Sequence, residues 1–593
     1  MKSKKWLISL GLALVLVVAF AIPACTGEPE EYWHTPGDVK VEFEISAITG
    51  PYFNIATMIA ENLQDLGLDV SVRVLDATTY YEYLYEPNLG GMEAFVSAED
   101  PSPDPWSDWI WIMLSDPEDW GYMWNPTWYD DDEYNELWVE NYLASNLTAK
   151  QEILYGLQQN VAESVPVIYI VRENLISVMR IDNWENWFNE LGGPCTWINE
   201  YAMREVTPVD DATQLNIGTL VLPPSLVMDQ EYLMYSNAGC LYLMMSYENL
   251  AGYPKVDEDS LESNPEAAYD FIPKLATDYD VTYEADGTGG QNQVWTYTLR
   301  EGVKWHDYDT SGKNLTADDV VYTIKYVTNK WGVNKPVNWT AVEANDWEIE
   351  PEHMLATATG DYEVELRFID GWHQNEDFSP CVYMWDAVVP EHVYGPAGNG
   401  TYEDWNEDAL LWDGECIGTG PYKVLEWEPD EYLLFERFDD YWGDGVEGWG
   451  LPAAQQILWR LYADFGQMWT ALEAGEIDTT MGSGAPFAKY DDYLANEDLL
   501  VEIMPDLSVN YLGFNIHPTE GYEPLLDLAL REAIAAAIDK ANIVDVAFGG
   551  YGEVADAWTY NESPNHKDDL PNNEYDLTEA ASILTAAGYT KHA

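Results

Sequence analysis

Two short strings in the second half of the chain decide the fold, Gly418-Thr-Gly-Pro-Tyr422 and Ala474-Gly-Glu-Ile-Asp478. Upstream of them stands Leu299-Arg-Glu-Gly-Val-Lys-Trp-His-Asp307, followed by Leu315-Thr-Ala-Asp-Asp-Val-Val-Tyr322. In the last string Thr316 is typical of a helix N-cap. Each string alone is common, and it is their order along one chain that carries information.

Further strings extend the same series toward the end of the chain. They are Tyr247-Glu-Asn-Leu250, Tyr441-Trp-Gly443, Gly513-Phe-Asn515 and the run Arg531 to Asp539, which lies in a predicted helix over 528–541. Asp576-Leu-Thr-Glu579 has the pattern of a capping box. It predicts a last helix that ends before Gly588.

The amino-terminal part reads as a βαβ unit. Residues 41–47 alternate between apolar and polar side chains, as a half-buried strand does. Apolar residues then recur at helical spacing up to Leu66, and Gly67 is a typical helix stop. Alternation returns over 70–74. A strand, a helix and a strand in so few residues predict a parallel pair.

The stretch that follows contains a third strand and a Pro-rich turn. Residues 91–98 predict the strand, and Glu99-Asp-Pro-Ser-Pro-Asp-Pro-Trp106 predicts the turn. Residues 133–163 have a helical pattern, in which Thr148 is a candidate N-cap. The apolar run 165–171 predicts another strand.

Length and charge limit the classes of function. With 593 residues, the chain is expected to form more than one structural unit. It has 106 acidic and 26 basic residues, a formal net charge of −80. A chain of this charge repels phosphate backbones, so we expect no nucleic-acid partner.

The first residues resemble a lipoprotein signal. Met1-Lys-Ser-Lys-Lys5 is basic, residues 6–24 are apolar, and Ile22-Pro-Ala-Cys25 ends the run. This pattern predicts that Cys25 carries lipid and anchors the protein to the outer face of the cell membrane. The alternative is an uncleaved membrane helix, because about 19 apolar residues are just long enough to span a bilayer. Both readings place the rest of the chain outside the cytoplasm.

No pattern indicates a metal site, a cofactor or an enzyme. The spacings of Cys195, Cys240, Cys381 and Cys416 match no zinc motif. A Cys195–Cys240 disulfide and free thiols both remain open. Catalytic motifs such as a nucleophile elbow or a phosphate loop are missing from the sequence. The alternative function from a different class, an enzyme, is a secreted glycosidase, which would need two carboxylates about 5–9 Å apart.

Taken in order, the strings from residue 247 to residue 589 resemble the extracellular solute-binding proteins of family 5, the peptide/nickel class that serves ABC importers. The resemblance implies an α/β fold of two lobes, periplasmic-binding-protein-like and of type II, with an extra subdomain in the first lobe. It also implies a ligand held in the cleft between lobes that close by hinge motion. The hinge crossings would lie near 165–175 and 500–512.

The order of the segments differs from the usual family order. Elements that normally follow Ala-Gly-Tyr589 are found at residues 41–171, including Leu63-Gln-Asp-Leu-Gly-Leu-Asp-Val70, Asp104-Pro-Trp106 and Val165-Pro-Val-Ile-Tyr169. We interpret the chain as circularly permuted, with the usual termini joined near 200–214. The alternative is a gene model that joins pieces of two neighbouring receptors. Permutation predicts that Val41 and Tyr589 lie close together in one lobe.

This interpretation divides the chain into seven segments. They are a lipoprotein signal peptide at 1–24, a tether at 25–39, a second-lobe part at 40–164, a first-lobe part at 165–250, the extra subdomain at 251–400, a further first-lobe part at 401–505, and a second-lobe part at 506–593 that completes 40–164.

The resemblance also implies a ligand site. In peptide-binding relatives the strand before the Asp-Pro turn pairs with the peptide backbone, which is a form of strand addition. Here that strand is Phe95, Val96, Ser97 and Ala98, and the acid that would receive the peptide amino group is Asp100. Glu99 is a competitor for this role, and a turn-capping Asp100 is the purely structural alternative. Trp106, one of several tryptophans in the stretch, would form an aromatic wall or pack in the core.

The ligand class stays open between three chemistries. Oligopeptide binders carry arginines in and before this strand, and Gly90 to Val96 contains none. Oligosaccharides suit aromatic walls, and nickel is a third family substrate, although the histidines form no ligand-spaced cluster. Our hypothesis is a monomeric oligopeptide receptor that performs no chemistry itself and works with ABC permease and ATPase subunits.

Overall fold

The computed structural model describes residues 31–84, 91–99, 125–143, 147–188, 200–222, 245–252, 272–287, 291–324, 354–369, 387–394, 416–481, 485–519, 521–559, 561, 563, 565–571 and 574–592. Within these residues no helix is long and apolar enough to cross a membrane. The proposed signal peptide and Cys25 lie outside them.

The described strands, in chain order, are β1 Tyr32–His34, β2 Glu42–Ile48, β3 Asp69–Leu75, β4 Ala94–Glu99, β5 Val167–Arg180, β6 Trp184–Glu185, β7 Thr207–Pro208, β8 Gln214–Thr219, β9 Ala251–Gly252, β10 Ile272–Pro273, β11 Ala276–Ala285, β12 Gln291–Leu299, β13 Met354–Gly360, β14 Glu363–Phe368, β15 Tyr422–Glu428, β16 Tyr432–Arg437, β17 Gln456–Leu461, β18 Thr479–Thr480, β19 Leu499–Phe514, β20 Gly552–Val554 and β21 Thr590–His592.

The described α-helices are α1 Pro51–Leu66, α2 Ala77–Leu84, α3 Asp132–Leu143, α4 Leu147–Ser164, α5 Glu200–Glu205, α6 Tyr308–Ser311, α7 Ala317–Thr323, α8 Glu391–Tyr394, α9 Phe465–Glu473, α10 Tyr490–Leu494, α11 Leu528–Ala537, α12 Lys540–Ala547 and α13 Leu577–Ala586. Short 3₁₀ turns cover Phe487–Lys489 and Glu523–Leu526.

Strands from both parts of the chain form the second lobe. Its six-stranded sheet has the order β20-β5-β19-β4-β2-β3, so β19 and β20 from the later part lie in one sheet with four strands from the earlier part. The predicted βαβ unit is confirmed, because β2 and β3 pair in parallel around α1. Gly67 ends α1 with φ +98°, a left-handed conformation that favours glycine.

The two ends of the described chain meet on this lobe. Strands β1 and β21 are antiparallel, with Trp33 opposite Lys591. Trp33, Val41 and Tyr589 are buried in one apolar core, together with α1, α11 and α13. The expected proximity of residues 41 and 589 is therefore observed.

A second sheet forms the first lobe. Its order is β15-β16-β17-β8-β18, with β17 and β18 both parallel to β8. Helix α9 packs on one face of this sheet, where Met468 faces Gly218. A Cβ atom on Gly218 would lie 2.8 Å from Met468 Cγ of the helix, so a larger residue would push strand and helix apart.

A four-stranded antiparallel sheet, in the order β11-β12-β14-β13, forms a third body with its own apolar core. Helix α7 packs on it and begins with the predicted cap, since the Thr316 and Asp319 side chains form a capping box. This sheet lies within the interval 251–400. The seven segment boundaries themselves stay predictions.

Two long strands connect the lobes. The first half of β5 contributes Ile168 and Ile170 to the second-lobe core, and its second half contributes Ile176 and Val178 to the first-lobe core under α9. Strand β19 runs back antiparallel beside it, from Leu499 in the first-lobe core to Phe514 in the second. Their ladder is irregular between Pro505 and Val509, opposite residues 172–174.

Three predictions of element bounds were wrong or too short. The helix predicted over 528–541 is broken, because Ile538 is extended and Asp539 caps α12 by accepting a hydrogen bond from the Asn542 N–H. Helix α4 starts at Leu147, so Thr148 lies inside the helix and does not cap it. The strand predicted over 165–171 continues to Arg180 because it crosses to the other lobe.

Candidate functional site

Strand β4 carries the predicted ligand segment and stands in the middle of the second-lobe sheet. On one side it pairs with β19 along its whole length, from Glu99–Val509 to Ala94–Phe514. On the other side it pairs with β2 only at Ala94 and Phe95. From Val96 to Glu99 no described strand pairs with that second edge, although β2 itself continues to Ile48.

The end of β4 points toward the first lobe. Strands β4 and β5 are both antiparallel to β19, and thus run in the same direction. Strand β5 continues into the first lobe, where the Arg180 N–H donates a hydrogen bond to the Asp478 carbonyl (2.9 Å). The incompletely paired edge is consequently at the end of the sheet that faces the other lobe, the usual ligand side of such sheets.

The side chains of the predicted ligand segment are largely structural. Phe95 is buried in the core formed with α2, α3 and α4, whereas Val96 is buried in the opposite core with α1. Ser97 is also buried, and Ala98 is half-buried. Since β4 is covered on both faces, its backbone edge is the part that a ligand could reach.

One backbone group on β4 already has a side-chain partner. The buried hydroxyl of Tyr80, from α2, donates a hydrogen bond to the Val96 carbonyl at 2.7 Å. A carbonyl oxygen can accept two hydrogen bonds. A ligand added along this edge would share the Val96 acceptor with Tyr80.

Several predicted site residues lie outside the described part. Asp100 and Trp106 are among them, as are the other tryptophans of the stretch up to residue 124. Glu99 is described as the last residue of β4, but its side chain is not. The structure thus brings together the backbone of 95–98, and the roles of Asp100, Glu99 and Trp106 stay predictions.

The Gly-Phe-Asn string fixes the opposite end of β4. A Cβ atom on Gly513 would overlap the ring of Phe95, so glycine is required for the two strands to pack. The Asn515 side chain donates a hydrogen bond to the Met92 carbonyl (3.1 Å), and the Asn515 N–H donates to the Glu93 carbonyl (2.9 Å). These contacts hold β4 in register at the end away from the first lobe.

The Gly-Thr-Gly-Pro-Tyr string has a structural role at the joint between the first lobe and the subdomain. Gly420 N–H donates to the Ser246 carbonyl at 2.9 Å, and Tyr422 N–H donates to the Met245 carbonyl at 3.1 Å. A Cβ atom on Gly418 would overlap the Ser246 carbonyl oxygen. Glycine is needed here so that two backbone segments can lie against each other.

His306 completes this joint from the subdomain side. Its Nδ1 accepts a hydrogen bond from Gly418 N–H (3.2 Å), so Nε2 carries the proton and donates to the Gly420 carbonyl (2.9 Å). Burial lowers the pKa of His306 to about 4, against the opposing effect of the Gly420 hydrogen bond. The ring is a neutral structural element of the framework.

Glu248 is a buried carboxylate that sequence reasoning did not single out. It accepts hydrogen bonds from Thr419 Oγ1 (2.9 Å), Tyr441 Oη (2.9 Å) and Trp442 Nε1 (2.7 Å). Burial raises its pKa, while Lys274 and these donors act in the opposite direction. The only sequence signal was its place in the Tyr247-Glu-Asn-Leu250 string, because its partners lie more than 170 residues away.

Metal ligands and thiols are sparse in the described part of the chain. No group of three or more His, Cys, Asp or Glu side chains there is arranged to hold a metal ion. Cys416 is a free thiol in the first-lobe core, and burial raises its pKa to about 11. Cys195, Cys240 and Cys381 lie outside the described residues, so their pairing stays open.

Comparison with known proteins identifies the family. Residues 270–593 match the model of the bacterial extracellular solute-binding proteins, family 5 Middle, over more than half of the chain. The chain therefore belongs to family 5 of the bacterial extracellular solute-binding proteins, and its fold is the two-lobed type II α/β fold of this family. This confirms the resemblance found in the sequence.

The individual relatives bind different ligands. The chain is 28% identical to the oligopeptide-binding protein AppA of Bacillus subtilis over 49% of this chain and 48% of AppA. It is 26% identical to the dipeptide-binding protein of Escherichia coli, covering 54% and 56% of the two chains, and 28% identical to the nickel-binding periplasmic protein of Escherichia coli, covering 54% and 53%. The chain thus spans about half the length of the curated relatives it matches.

Among solved structures, that of AppA from Bacillus subtilis in complex with a nonapeptide is similar to this chain. The match has 23% sequence identity and a TM-score of 0.40, and it covers 63% of this chain and 64% of AppA.

Proposed function

We propose that the protein is an extracytoplasmic substrate-binding lipoprotein that captures an oligopeptide between its lobes and delivers it to an ABC permease. Family membership and the pair of strands that cross between the lobes support this proposal. Cys25 carries the lipid anchor, and the importer's ATPase subunits supply the energy. The protein acts as a monomer.

The observation that carries the proposal is the second edge of β4. Strand β4 pairs with β2 only at its first two residues, and its far end points at the first lobe. A peptide can add to such an edge through main-chain hydrogen bonds, which give affinity without requiring a given side chain. Phe95, Val96, Ser97 and Ala98 provide this edge with their backbone.

Asp100 provides the charged end of the site in this proposal. It follows directly after β4, where a peptide amino group would arrive, and a carboxylate facing an ammonium forms a strong charge-assisted hydrogen bond. Trp106 forms an aromatic wall beside the ligand. Because the segment from Gly90 to Val96 lacks the arginines that oligopeptide binders carry there, the peptide carboxylate would be held elsewhere.

A thermal-shift panel tests the ligand class. Synthetic peptides of two to nine residues, oligosaccharides and Ni²⁺ are added separately to the purified protein without its first 25 residues. A ligand that binds only the folded state raises the melting temperature. We expect peptides to raise the melting temperature. If only oligosaccharides or only Ni²⁺ raise it, that compound is the ligand class instead of peptides. If no compound of the panel raises it, the proposed receptor function is contradicted.

A pair of variants tests the assignment of Asp100. Asp100→Asn should weaken binding of the best panel peptide about tenfold or more, since an interaction of a charged group is worth about 1.5–3 kcal/mol. Glu99→Gln is the matched control and should leave the affinity unchanged. If Glu99→Gln weakens binding and Asp100→Asn does not, Glu99 is the residue that receives the peptide amino group. Blocking the peptide amino group by acetylation should abolish the difference in affinity between the wild-type protein and Asp100→Asn.

We also propose that the order of segments is a genuine circular permutation. The support is the single sheet built from both ends of the chain and the pairing of β1 with β21. A rearranged gene that joins residue 592 to residue 31 by a short linker and opens the chain between Asp210 and Asp211, both exposed, tests it. The rearranged protein should fold with a similar melting temperature and bind the same panel ligands; an insoluble product would argue for joined pieces of two receptors.

A further inference from the structure

A contact between the lobes lies beside the two crossing strands. On the first-lobe side it consists of Phe487 and of Tyr490 at the start of α10. On the second-lobe side it consists of Gly549 to Tyr551, the turn between α12 and β20. The rings of Tyr490 and Tyr551 meet edge to face with their centroids 5.1 Å apart. We call this set the flank contact.

Tyr551 belongs to one lobe and packs on the other. Its neighbours in sequence are α12, which packs in the second-lobe core, and β20, which pairs with β5 in the second-lobe sheet. The Tyr551 side chain nevertheless packs against the first-lobe core that includes Trp469 and Leu499. Its carbonyl accepts a hydrogen bond from Asn174 N–H on the crossing strand β5 (3.3 Å).

The turn that presents Tyr551 is shaped for this approach. Gly549 and Gly550 have φ values of +62° and +84°, which glycine adopts without strain. A Cβ atom on Gly549 would lie 2.6 Å from Cδ2 of Phe487. Phe487 therefore lies directly on the glycine backbone, although 45% of its surface is exposed.

The flank contact and the end of β4 lie on opposite sides of the crossing strands. The sheet order is β20-β5-β19-β4-β2-β3, so the contact is next to β20 and the open edge is beyond β19. A rotation of one lobe in the plane of the sheet that brings it toward the β4 edge moves it away from the β20 edge. Closure by such a rotation and the flank contact oppose each other.

We propose that the flank contact stabilises the open arrangement of the lobes and thereby sets the affinity for the ligand. This rests on the proposed receptor function. A ligand that binds only the closed state has to shift the equilibrium between open and closed states toward the closed one. Any stabilisation of the open state therefore lowers the observed affinity. Phe487, Tyr490 and Tyr551 are then affinity-determining residues that never touch the ligand.

The first experiment needs no ligand. Small-angle X-ray scattering compares the wild-type protein with Phe487→Ala and, as a second variant, Tyr551→Leu. Leu494→Ala is the matched control, since Leu494 is 53% exposed on α10 outside the contact. We expect a smaller radius of gyration in the two variants and an unchanged value in the control. An unchanged or larger radius in both variants would overturn the proposal.

The second experiment measures affinity by calorimetry with the peptide that gives the largest thermal shift. Removing an aromatic contact worth about 0.5–1.5 kcal/mol should tighten binding about two- to twelvefold, while Leu494→Ala should match wild type. Affinity that is unchanged or weaker in both variants would contradict the flank contact. If wild-type protein binds no panel ligand, the receptor function fails, and the scattering result alone decides the role of the contact.

Discussion

The joint around Glu248 and the far end of β4 are built in opposite ways. At the joint, each of three donors points at one buried carboxylate, and glycines press two backbones together. At β4, both faces are covered by apolar cores, but one edge lacks a paired strand beyond Phe95 within the described residues. The most recognisable strings of the sequence therefore build the framework, and the region free to bind has a much weaker signature.

The largest effect is expected from Glu248→Ala. It leaves the Thr419, Tyr441 and Trp442 donors unpaired in a buried place, so the free energy of unfolding should fall by about 3–5 kcal/mol. Urea denaturation measures it. Glu431→Ala, at an exposed turn, is the control and should change stability by less than about 0.5 kcal/mol. Equal losses in the two variants would show that the joint is no more constrained than the surface.

Gly418→Ala should be the next most costly change. The added methyl overlaps the Ser246 carbonyl oxygen, which is backbone and cannot turn aside. We expect a loss of about 2–4 kcal/mol by denaturation. Gly360→Ala is a matched control, because the nearest atom to its added methyl is 3.8 Å away. A Gly418→Ala protein as stable as wild type would mean that the joint is loosely packed.

The pH dependence of stability tests His306. Its pKa in the folded protein is about 4, below the ordinary 6.5, so the folded state favours the neutral ring. As pH falls from 6.5 toward 4, the unfolded chain binds this proton first and stability decreases, by about 3 kcal/mol in total. The His306→Gln variant should lose this part of the slope. Parallel curves for wild type and variant between pH 7 and 4.5 would contradict the buried neutral ring.

The smallest effect is expected where the chain ends meet. The rings of His34 and His592 stack with centroids 3.8 Å apart, and His592 contacts Asp38, which is largely exposed. Replacing His592 by alanine should cost less than about 1 kcal/mol, since exposed pairs contribute little. Trp33, buried and bonded through Nε1 to the Leu66 carbonyl (2.9 Å), is the contrast, and Trp33→Ala should cost clearly more than His592→Ala. A larger loss of stability in His592→Ala than in Trp33→Ala would show that the exposed ring stack, and not the buried tryptophan, holds the two chain ends together.

Local patterns predicted the local elements. Alternation and helical spacing identified β2, α1 and β3, and the Thr316 and Asp576 caps were recognised because a cap and its partners are neighbours in sequence. The break at Ile538 was missed because Ile534 and Ile538 keep helical spacing across it, although Asp539 is a residue type that favours N-caps. Family strings predicted the two-lobed fold because their order is so specific.

Contacts between residues that are far apart in sequence could not be predicted from these local patterns. Nothing in the Tyr247-Glu-Asn-Leu250 string shows that Glu248 will be enclosed by residues 419, 441 and 442. The contact of Phe487 with Gly549 joins two turns that have no periodicity. For the ligand segment, alternation located the strand but could not reveal that Phe95 and Val96 face two separate cores, which moves the expected ligand contacts from side chains to backbone.

The pairing of β4 with β19 also has a consequence for biosynthesis. Val96 leaves the ribosome long before its partner Leu512, and Trp33 before Lys591. The earliest strands of the nascent chain must therefore wait, with apolar surface uncovered, until translation of the last ones is complete. We expect a protein with this segment order to need protection of this surface from aggregation until the later strands have been made.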